Sequence, residues 1–387
     1  MSGAIIAPAL PAIEVAFGDA TGTANGGATT YDGDAAALEL AVKLLLTLPA
    51  LAIALCAPIA GIVTDKLGRK EALMTGLLIF ALGGSTGLYL STIPLLLVGR
   101  FVLGIGVALI MTSATALLAD LYSGEEQSRI LGIQGSFMAG AGVLFLSLGG
   151  ALADVSWRMP FAIYLCSLII AAGAAIKVPR GERGGGLYTE SEINRQNESR
   201  GHYLLTFIFL YAVALLGMIA FYVTPVQAPF HLNRNLGVSS TMSGLALAGN
   251  TLAGAVMGWN FGRANTHLSK MTIFAITFLL MGVGYAGLAY SNSYAVAAIS
   301  LAITGLGMGW MMPNLNTWLV QASPDHLRGR ALGGLTSCMF LGQFFSPIAT
   351  NPLVASSSLT SMFLVVAGSC VALSVGFIIV DTFLKFK

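Results

Sequence analysis

Charge is what this 387-residue chain has least of. Asp, Glu, Lys and Arg make up 9% of it, against about 25% in a soluble domain. That leaves too few ionic groups to cover a globular surface, while hydrophobic residues reach 56% and mean hydropathy is +0.82. Cysteine is scarce as well. Cys56, Cys166, Cys338 and Cys370 lie far apart in apolar runs, with no CxxC and no Cys/His cluster, which argues against disulfides and zinc and for small free residues inside helices. A net charge of +2 is too small to suggest nucleic acid. Residues 1–10 have no basic n-region, and Pro8 and Pro11 interrupt their apolar stretch, so no cleavable signal peptide is read there. The zinc-protease signature is missing: His202, His231, His267 and His326 are read at loops or helix ends, none in HExxH.

What is present is a series of apolar runs near the roughly 20 residues that a helix needs to cross hydrocarbon. Glycine, at 47 residues, is also more frequent in membrane helices than in soluble ones. Charge gaps and turn residues mark twelve spans, at 1–17, 38–63, 72–91, 94–119, 130–153, 157–176, 203–225, 241–261, 271–290, 293–320, 331–352 and 359–379. The fold class expected is therefore an all-α integral membrane protein with twelve transmembrane helices. The first span is short, so that either helix one is abbreviated or the natural start lies upstream of Met1.

The cations then set the topology. If the sides alternate, 15 of the 19 Lys and Arg residues fall on one face, only Arg158 and Arg234 on the other, and Lys43 and Arg100 inside spans. One missed helix would scramble so uneven a split. Both termini and the polar stretch 177–202 are thereby placed in the cytoplasm, with the plasma (inner) membrane as the expected location. That stretch holds Gly184, Gly185 and Gly186 among many charges and reads as a flexible linker. It divides the chain into an N-terminal bundle at 1–176 and a C-terminal bundle at 203–387. The glycine run at 181–186 has neither the Lys-Ser/Thr end nor the preceding strand of a phosphate loop. The Gly-, Thr- and Asp-rich segment 18–37 reads as a solvated outer loop.

The two halves echo each other. Arg129-Ile130-Leu131-Gly132 opens the fifth span and Arg330-Ala331-Leu332-Gly333 the eleventh, each after an acidic turn, at Glu125-Glu126 and at Asp325. Gly68-Arg69 follows the second span and Gly262-Arg263 the eighth. Repeats of this kind build two bundles around a central site in many transporters. Gly83/Gly87, Gly258/Gly262 and Gly305/Gly309 carry the GxxxG spacing that lets helices approach closely.

The turn after the second span reads Gly61-Ile62-Val63-Thr64-Asp65-Lys66-Leu67-Gly68-Arg69-Lys70. It is a tight, heavily charged turn in which Gly68 permits a backbone shape closed to other residues and Asp65 can accept charge-assisted hydrogen bonds. It resembles the G-x-x-x-D-[RK]-x-G-R-[RK] signature of the major facilitator superfamily. Arg100, Gly104, Gly106 and Ala108 resemble that family's R-x-x-x-G-x-G-x-A motif, and Pro8-Ala9-Leu10-Pro11 its P-x-x-P motif. The resemblance spans the whole chain and points to the drug and metabolite efflux branch. There are departures. Gly149-Gly150 match the end of the antiporter signature, but Phe145-Leu146 stand where Gly-Pro belongs, and Trp259 takes the Asp position in the second copy of the first motif.

The resemblance implies two pseudo-symmetric six-helix bundles that rock about a midplane site. It implies a cytoplasmic gate of Gly61, Asp65, Lys66, Gly68, Arg69 and Lys70 with Glu125, Glu126 and Arg129. Asp65 is expected to face the start of the eleventh span, and Arg69 or Lys70 to meet Glu125 or Glu126, in the outward-open state. With no ATP-binding motif, energy comes from a gradient or from the substrate. A proton-coupled carrier needs a titratable group within the membrane, and the coupling candidates are Glu14, Glu39, Lys43 and Arg100, with Arg100 expected near a carboxylate. The second half has no Asp, Glu or Lys within its spans. By resemblance the pocket includes spans one, four, seven and ten; the candidates are Tyr211, Phe221 and Tyr222 on span seven and Trp310, Met311, Met312, Asn314 and Asn316 on span ten, to which span eleven adds Gln343, Phe344 and Phe345. Met and aromatic groups suit irregular apolar ligands.

The function expected is therefore proton-coupled efflux of a small hydrophobic or amphipathic solute by a monomer without cofactor or metal. Uptake of a small nutrient is the alternative, followed by a non-transporting sensor. A membrane-embedded enzyme is the rival class.

Overall fold

Residues 4–18, 35–122, 124–178, 200–324 and 327–385 are described by the structure, a computed structural model. A 3-10 segment, Ala4–Ala9, leads into α1 (Leu10–Gly18). Then come α2 (Ala35–Leu67), α3 (Arg69–Gly84), α4 (Ile93–Leu121), α5 (Gly124–Val155) and α6 (Cys166–Lys177), the last entered by a 3-10 segment at Met159–Leu165. The second half holds α7 (Arg200–Leu236), α8 (Ser240–Trp259), the short α9 (Phe261–His267), α10 (Lys270–Ala289), α11 (Tyr294–Ala322), α12 (Arg328–Ser356) and α13 (Leu359–Lys385). No strand occurs among the described residues. Ten of these segments are long and apolar enough to cross a membrane, and Ile5–Gly18 is a shorter apolar one. Helix α8 reaches 20 residues but is diluted by Ser, Thr, Asn and Gly.

Local chemistry sets the ends. Gly68 turns the chain between α2 and α3 at φ 104°, a left-handed value that a β-carbon disfavours. Pro94 sits in the first turn of α4, where its missing N–H has no helical partner to lose. The hydroxyls of Ser239, Ser269 and Ser293 accept the backbone N–H of Met242, Thr272 and Val296, capping α8, α10 and α11.

Helix α7 does not stop at 225, as the proline suggested, but runs through Pro225 and Pro229 to Leu236. Proline removes one ladder bond, and within a membrane neighbours must satisfy the freed carbonyl. The Tyr285 hydroxyl of α10 does so. It donates to Ala220 O at 2.5 Å and lies 3.4 Å from Phe221 O, the carbonyl that Pro225 leaves without its donor. This extension moves His231 and Arg234 from an expected loop into a helix. His231 is buried. Its Nε2–H donates to Ser291 Oγ at 2.9 Å, because that hydroxyl's own proton goes to Leu288 O, and its Nδ1 accepts from Asn235 Nδ2 at 3.0 Å. Helix α13 likewise runs past 379 and includes Asp381, which accepts from Ser269 Oγ and Thr272 Oγ1.

The packing repeats between halves. In the first, α3 packs on α4 and α6, α2 on α4, and α5 on the entry segment to α1. In the second, α10 packs on α11 and α13, α8 on α11, and α12 on α7. The halves meet through α5 against α8 and α12 against α2, which are equivalent pairs. Lipid tails supply no hydrophobic drive between helices, so close backbone approach must hold them together. The GxxxG spacing serves this purpose on α11: a methyl on Gly305 would collide with Asn250 O, and one on Gly309 with Gly254 O. Gly262 has open space around it and takes no part.

Candidate functional site

The bonds that join α1–α6 to α7–α13 gather at one end of the bundle. Glu39 and Lys43 stand one turn apart on α2, as do Phe230 and Arg234 on α7. Arg234 donates to both carboxylate oxygens of Glu14 at 2.6 Å and lies 3.5 Å from Glu39 Oε2. Lys43 Nζ donates to Glu39 Oε1 at 2.5 Å and to Asn351 Oδ1 of α12 at 2.9 Å. Asn351 also donates to Ala36 O at 3.4 Å. The Phe230 ring lies between the two cations, 5.2 Å from Lys43 Nζ and 5.1 Å from the Arg234 guanidinium.

Lys43 is fully buried. A charge in that position is tolerated only when paired and hydrogen-bonded. Glu14, Glu39, Lys43 and Arg234 together carry no net charge. A cavity of about 540 Å³ opens beside them, lined by Glu14, Glu39, Arg234, Asn235 and Asn351 on its polar wall.

A second seam closes the same end. Asp154 in the last turn of α5 accepts the Ser240 N–H at 2.8 Å, the Thr241 N–H at 3.0 Å and the Thr241 hydroxyl at 2.5 Å. Beneath it, Gly150 abuts the Ser240 carbonyl, and Gly244 faces Leu146 O. Gly149 of the same pair packs on Ile5 O.

The opposite end is open. Gly132, Gly135 and Gly140 on α5, and Gly329 and Gly333 on α12, meet nothing within 4 Å. At 100° per residue these three glycines fall within an arc of about 140°, but Ile133, Phe137 and Met138 on the neighbouring and opposite sides are exposed as well, so this part of α5 stands clear on more than one side.

The charged turn lies at that open end. Arg69 pairs with Asp65 one turn back and with Asp120 of α4 at 3.1 Å. Lys70 donates to Ala175 O at 2.8 Å and Val178 O at 2.7 Å, satisfying carbonyls at the end of α6. Glu126 is not among the partners found for Arg69 and Lys70. Glu126 and Arg129 are exposed, and the side chain of Glu125 lies outside the described residues. Lys66 and Asp65 are exposed, and Gly61 faces Thr112 of α4. The expected facing of Asp65 and α12 belongs to a state closed at this end, and the end is open here.

Arg100 corrects another expectation. It is fully buried, but its guanidinium faces the rings of Phe161 and Tyr164, at 4.5 and 5.0 Å, and donates to Gly84 O at 3.3 Å. Among the described residues no carboxylate pairs with it. Rings supply a negative face to a cation, so the entry segment to α6 does the work expected of an acid.

Several pocket candidates serve packing instead. Tyr211 donates to Ala331 O at 2.8 Å and Trp310 to Met257 O at 2.8 Å. Met311 fills the gap left by Gly217, and Asn314 donates to Lys270 O at 3.0 Å. Phe221 stacks edge-on against Tyr222, and Phe344 against Phe345. Phe221, Tyr222, Met312, Gln343 and Phe344 are half-buried, and Phe345 and Asn316 exposed. The structure does not gather these side chains into one cavity among the described residues.

Five residues of these contacts were missed from sequence: Asp120, Asp154, Phe230, Arg234 as a helix residue, and Asn351. Each is unremarkable in its own stretch and gains its role from a partner on another helix.

A bundle of apolar helices, sealed across two repeated halves at one end and open at the other, is the build of a membrane transporter. The sequence profile of the Major Facilitator Superfamily matches residues 1–227 and again 203–384, and the chain belongs to that family. The bacillibactin exporter of Bacillus subtilis (strain 168) is 24% identical over 342 residues, covering 82% of each chain. The quinolone resistance protein NorA of Staphylococcus aureus (strain MSSA476) is 22% identical over 316 residues, covering 80% of each. Among solved structures, a D-xylose–proton symporter matches with TM-score 0.76 at 15% identity, covering 97% of this chain and 93% of that one. The inward-open xylose transporter XylE from E. coli matches with TM-score 0.73 at 13% identity, covering 97% and 91%. These likenesses show the fold. The protein is thus an integral membrane transporter of a small molecule, and not an enzyme.

Proposed function

We propose that this protein exports a hydrophobic or amphipathic solute by alternating access, driven by protons, as a monomer in the plasma (inner) membrane. The positive-inside distribution supports cytoplasmic termini and an external Glu14 end. The two profile matches support rigid bundles at 1–176 and 203–387 joined by 177–202. The bacillibactin exporter among its relatives supports the direction, and Met312, Phe344 and Phe345, which the packing leaves half-buried or exposed, support the solute class.

The observation that carries the coupling is the cluster of Glu14, Glu39, Lys43 and Arg234 across the sealed end. Opening that end takes Arg234 away from both carboxylates and leaves the first half with Glu14, Glu39 and Lys43, one negative charge in excess. A proton from outside then binds where Arg234 was. Resealing needs the carboxylates bare, so the proton must leave: Lys43, hydrogen-bonded to Glu39, gives one of its own protons to water on the inward side and is then reprotonated by Glu39, so that Glu39 is left a carboxylate and Lys43 a cation. Asp65 with Arg69 and Lys70 closes the other end in the alternate state.

The test is accumulation of a panel of amphipathic dyes in cells expressing the protein, with and without a protonophore. Lower accumulation that the protonophore reverses supports gradient-driven export. No change across the panel overturns the solute class, and raised accumulation overturns the direction in favour of uptake.

A further inference from the structure

The sealed end is held by two separate devices, and the charge cluster is only one of them. The geometry points to Asp154 as a second latch, a positioning residue of α5 that clamps the other half by capping the N-terminus of α8 from outside. This rests on the alternating-access reading above.

A helix leaves its first four N–H groups without internal partners, and its N-terminal dipole favours a negative charge. Ser239 takes one of these groups, Met242 N–H, from within the chain's own turn. Asp154 takes Ser240 and Thr241 N–H and adds the Thr241 hydroxyl, from a residue 86 to 87 positions away on the other half. Three bonds on one carboxylate, two of them to a helix terminus, give this contact a strength that a surface ion pair lacks.

It is also directional. Gly150 and Gly244 bring the two backbones together immediately below, so the carboxylate reaches the α8 terminus only while α5 and α8 are fully closed. A small parting of the helices breaks all three bonds together, as a latch should. Asp65 at the end of α2, with the α12 N-terminus opposite it in the equivalent helix pair, would be its counterpart for the other state.

The test uses the full chain in membranes with Cys56, Cys166, Cys338 and Cys370 changed to alanine. Reporter cysteines are placed one at a time, Leu146→Cys in the α5–α8 seam and Gly140→Cys on the open part of α5. Asp154→Asn should speed maleimide labelling at position 146 by about fivefold, the scale of a lost cap, and slow it at position 140, with the melting temperature unchanged. Thr241→Val, which removes one bond of three, should do the same by about twofold and serves if Asp154→Asn fails to fold. Ser239→Ala, which removes only the internal cap, should leave both rates alone. Equal shifts in Ser239→Ala would assign the effect to fraying of α8 and overturn the latch. Unchanged rates in Asp154→Asn and Thr241→Val, with Arg234→Ala still moving both reporters, would overturn the latch but keep alternating access. Reporters that respond to none of these variants would overturn both.

Discussion

Arg234 holds Glu14 with two bonds of 2.6 Å across 220 residues of sequence. Glu14 lies in α1, the first helix of one half, and Arg234 lies in the last turn of α7, the first helix of the other. Their contact is therefore a direct register of whether the two halves are together at this end.

Arg234→Ala should shift the protein towards the form open at the Glu14 end. Truncating one partner of a buried pair costs roughly 3–5 kcal/mol, but the Arg234 side chain is 37% exposed, and solvent screening brings the effect to about 1–2 kcal/mol. That corresponds to about a tenfold change in the ratio of the two states. Spin-label distances across the cavity should lengthen, and the exchange Glu14→Arg with Arg234→Glu should restore them. Failure of the exchange to restore them would detach the effect from this ion pair.

Asp65→Asn should cut transport severalfold while expression and melting temperature stay near those of the parent. Asp65 is exposed and contributes little here beyond its bond to Arg69. Transport at the parental rate with normal expression would remove Asp65 from the gate.

Arg100→Lys should destabilise the first half by about 1–3 kcal/mol, since an ammonium cannot lie flat against the rings of Phe161 and Tyr164 or reach Gly84 O as a guanidinium does. Thermal unfolding in detergent measures it. A variant as stable as the parent would mean that the ring contacts contribute nothing.

Gly305→Ala should force α8 and α11 apart, because the new methyl meets Asn250 O. The cost expected is about 1–3 kcal/mol of overpacking strain. Gly376→Ala on α13, which meets nothing within 4 Å, is the matched control and should be neutral.

Much of the fold was legible because the bilayer imposes a simple rule on composition. A charge-poor run of about 20 residues is a span, and the cations between runs report the side. Proline misled at 225, since a helix in a membrane continues through proline when a neighbour such as Tyr285 supplies the missing bond. The first element was legible as short but not as a 3-10 segment leading into a helix.

The candidate site was half legible. Glu14, Glu39 and Lys43 stood out as charges in apolar surroundings. Their partners did not, because Asn351 is an ordinary helix residue until α12 meets α2, and Arg234 looked like a loop cation. Arg100 stood out for the same reason as Glu14, but sequence suggested an acid where the structure supplies two rings. Asp65 and Arg69 were legible by motif. Asp120, which Arg69 meets, carries no signal of its own.

The most direct measurement is dye uptake into everted membrane vesicles, whose lumen corresponds to the outside of the cell, with the lumen acidified. Coupling at Glu14 and Glu39 predicts accumulation that a protonophore abolishes and that the double variant Glu14→Gln, Glu39→Gln loses while remaining folded. Accumulation with unaltered pH dependence in the double variant would contradict it.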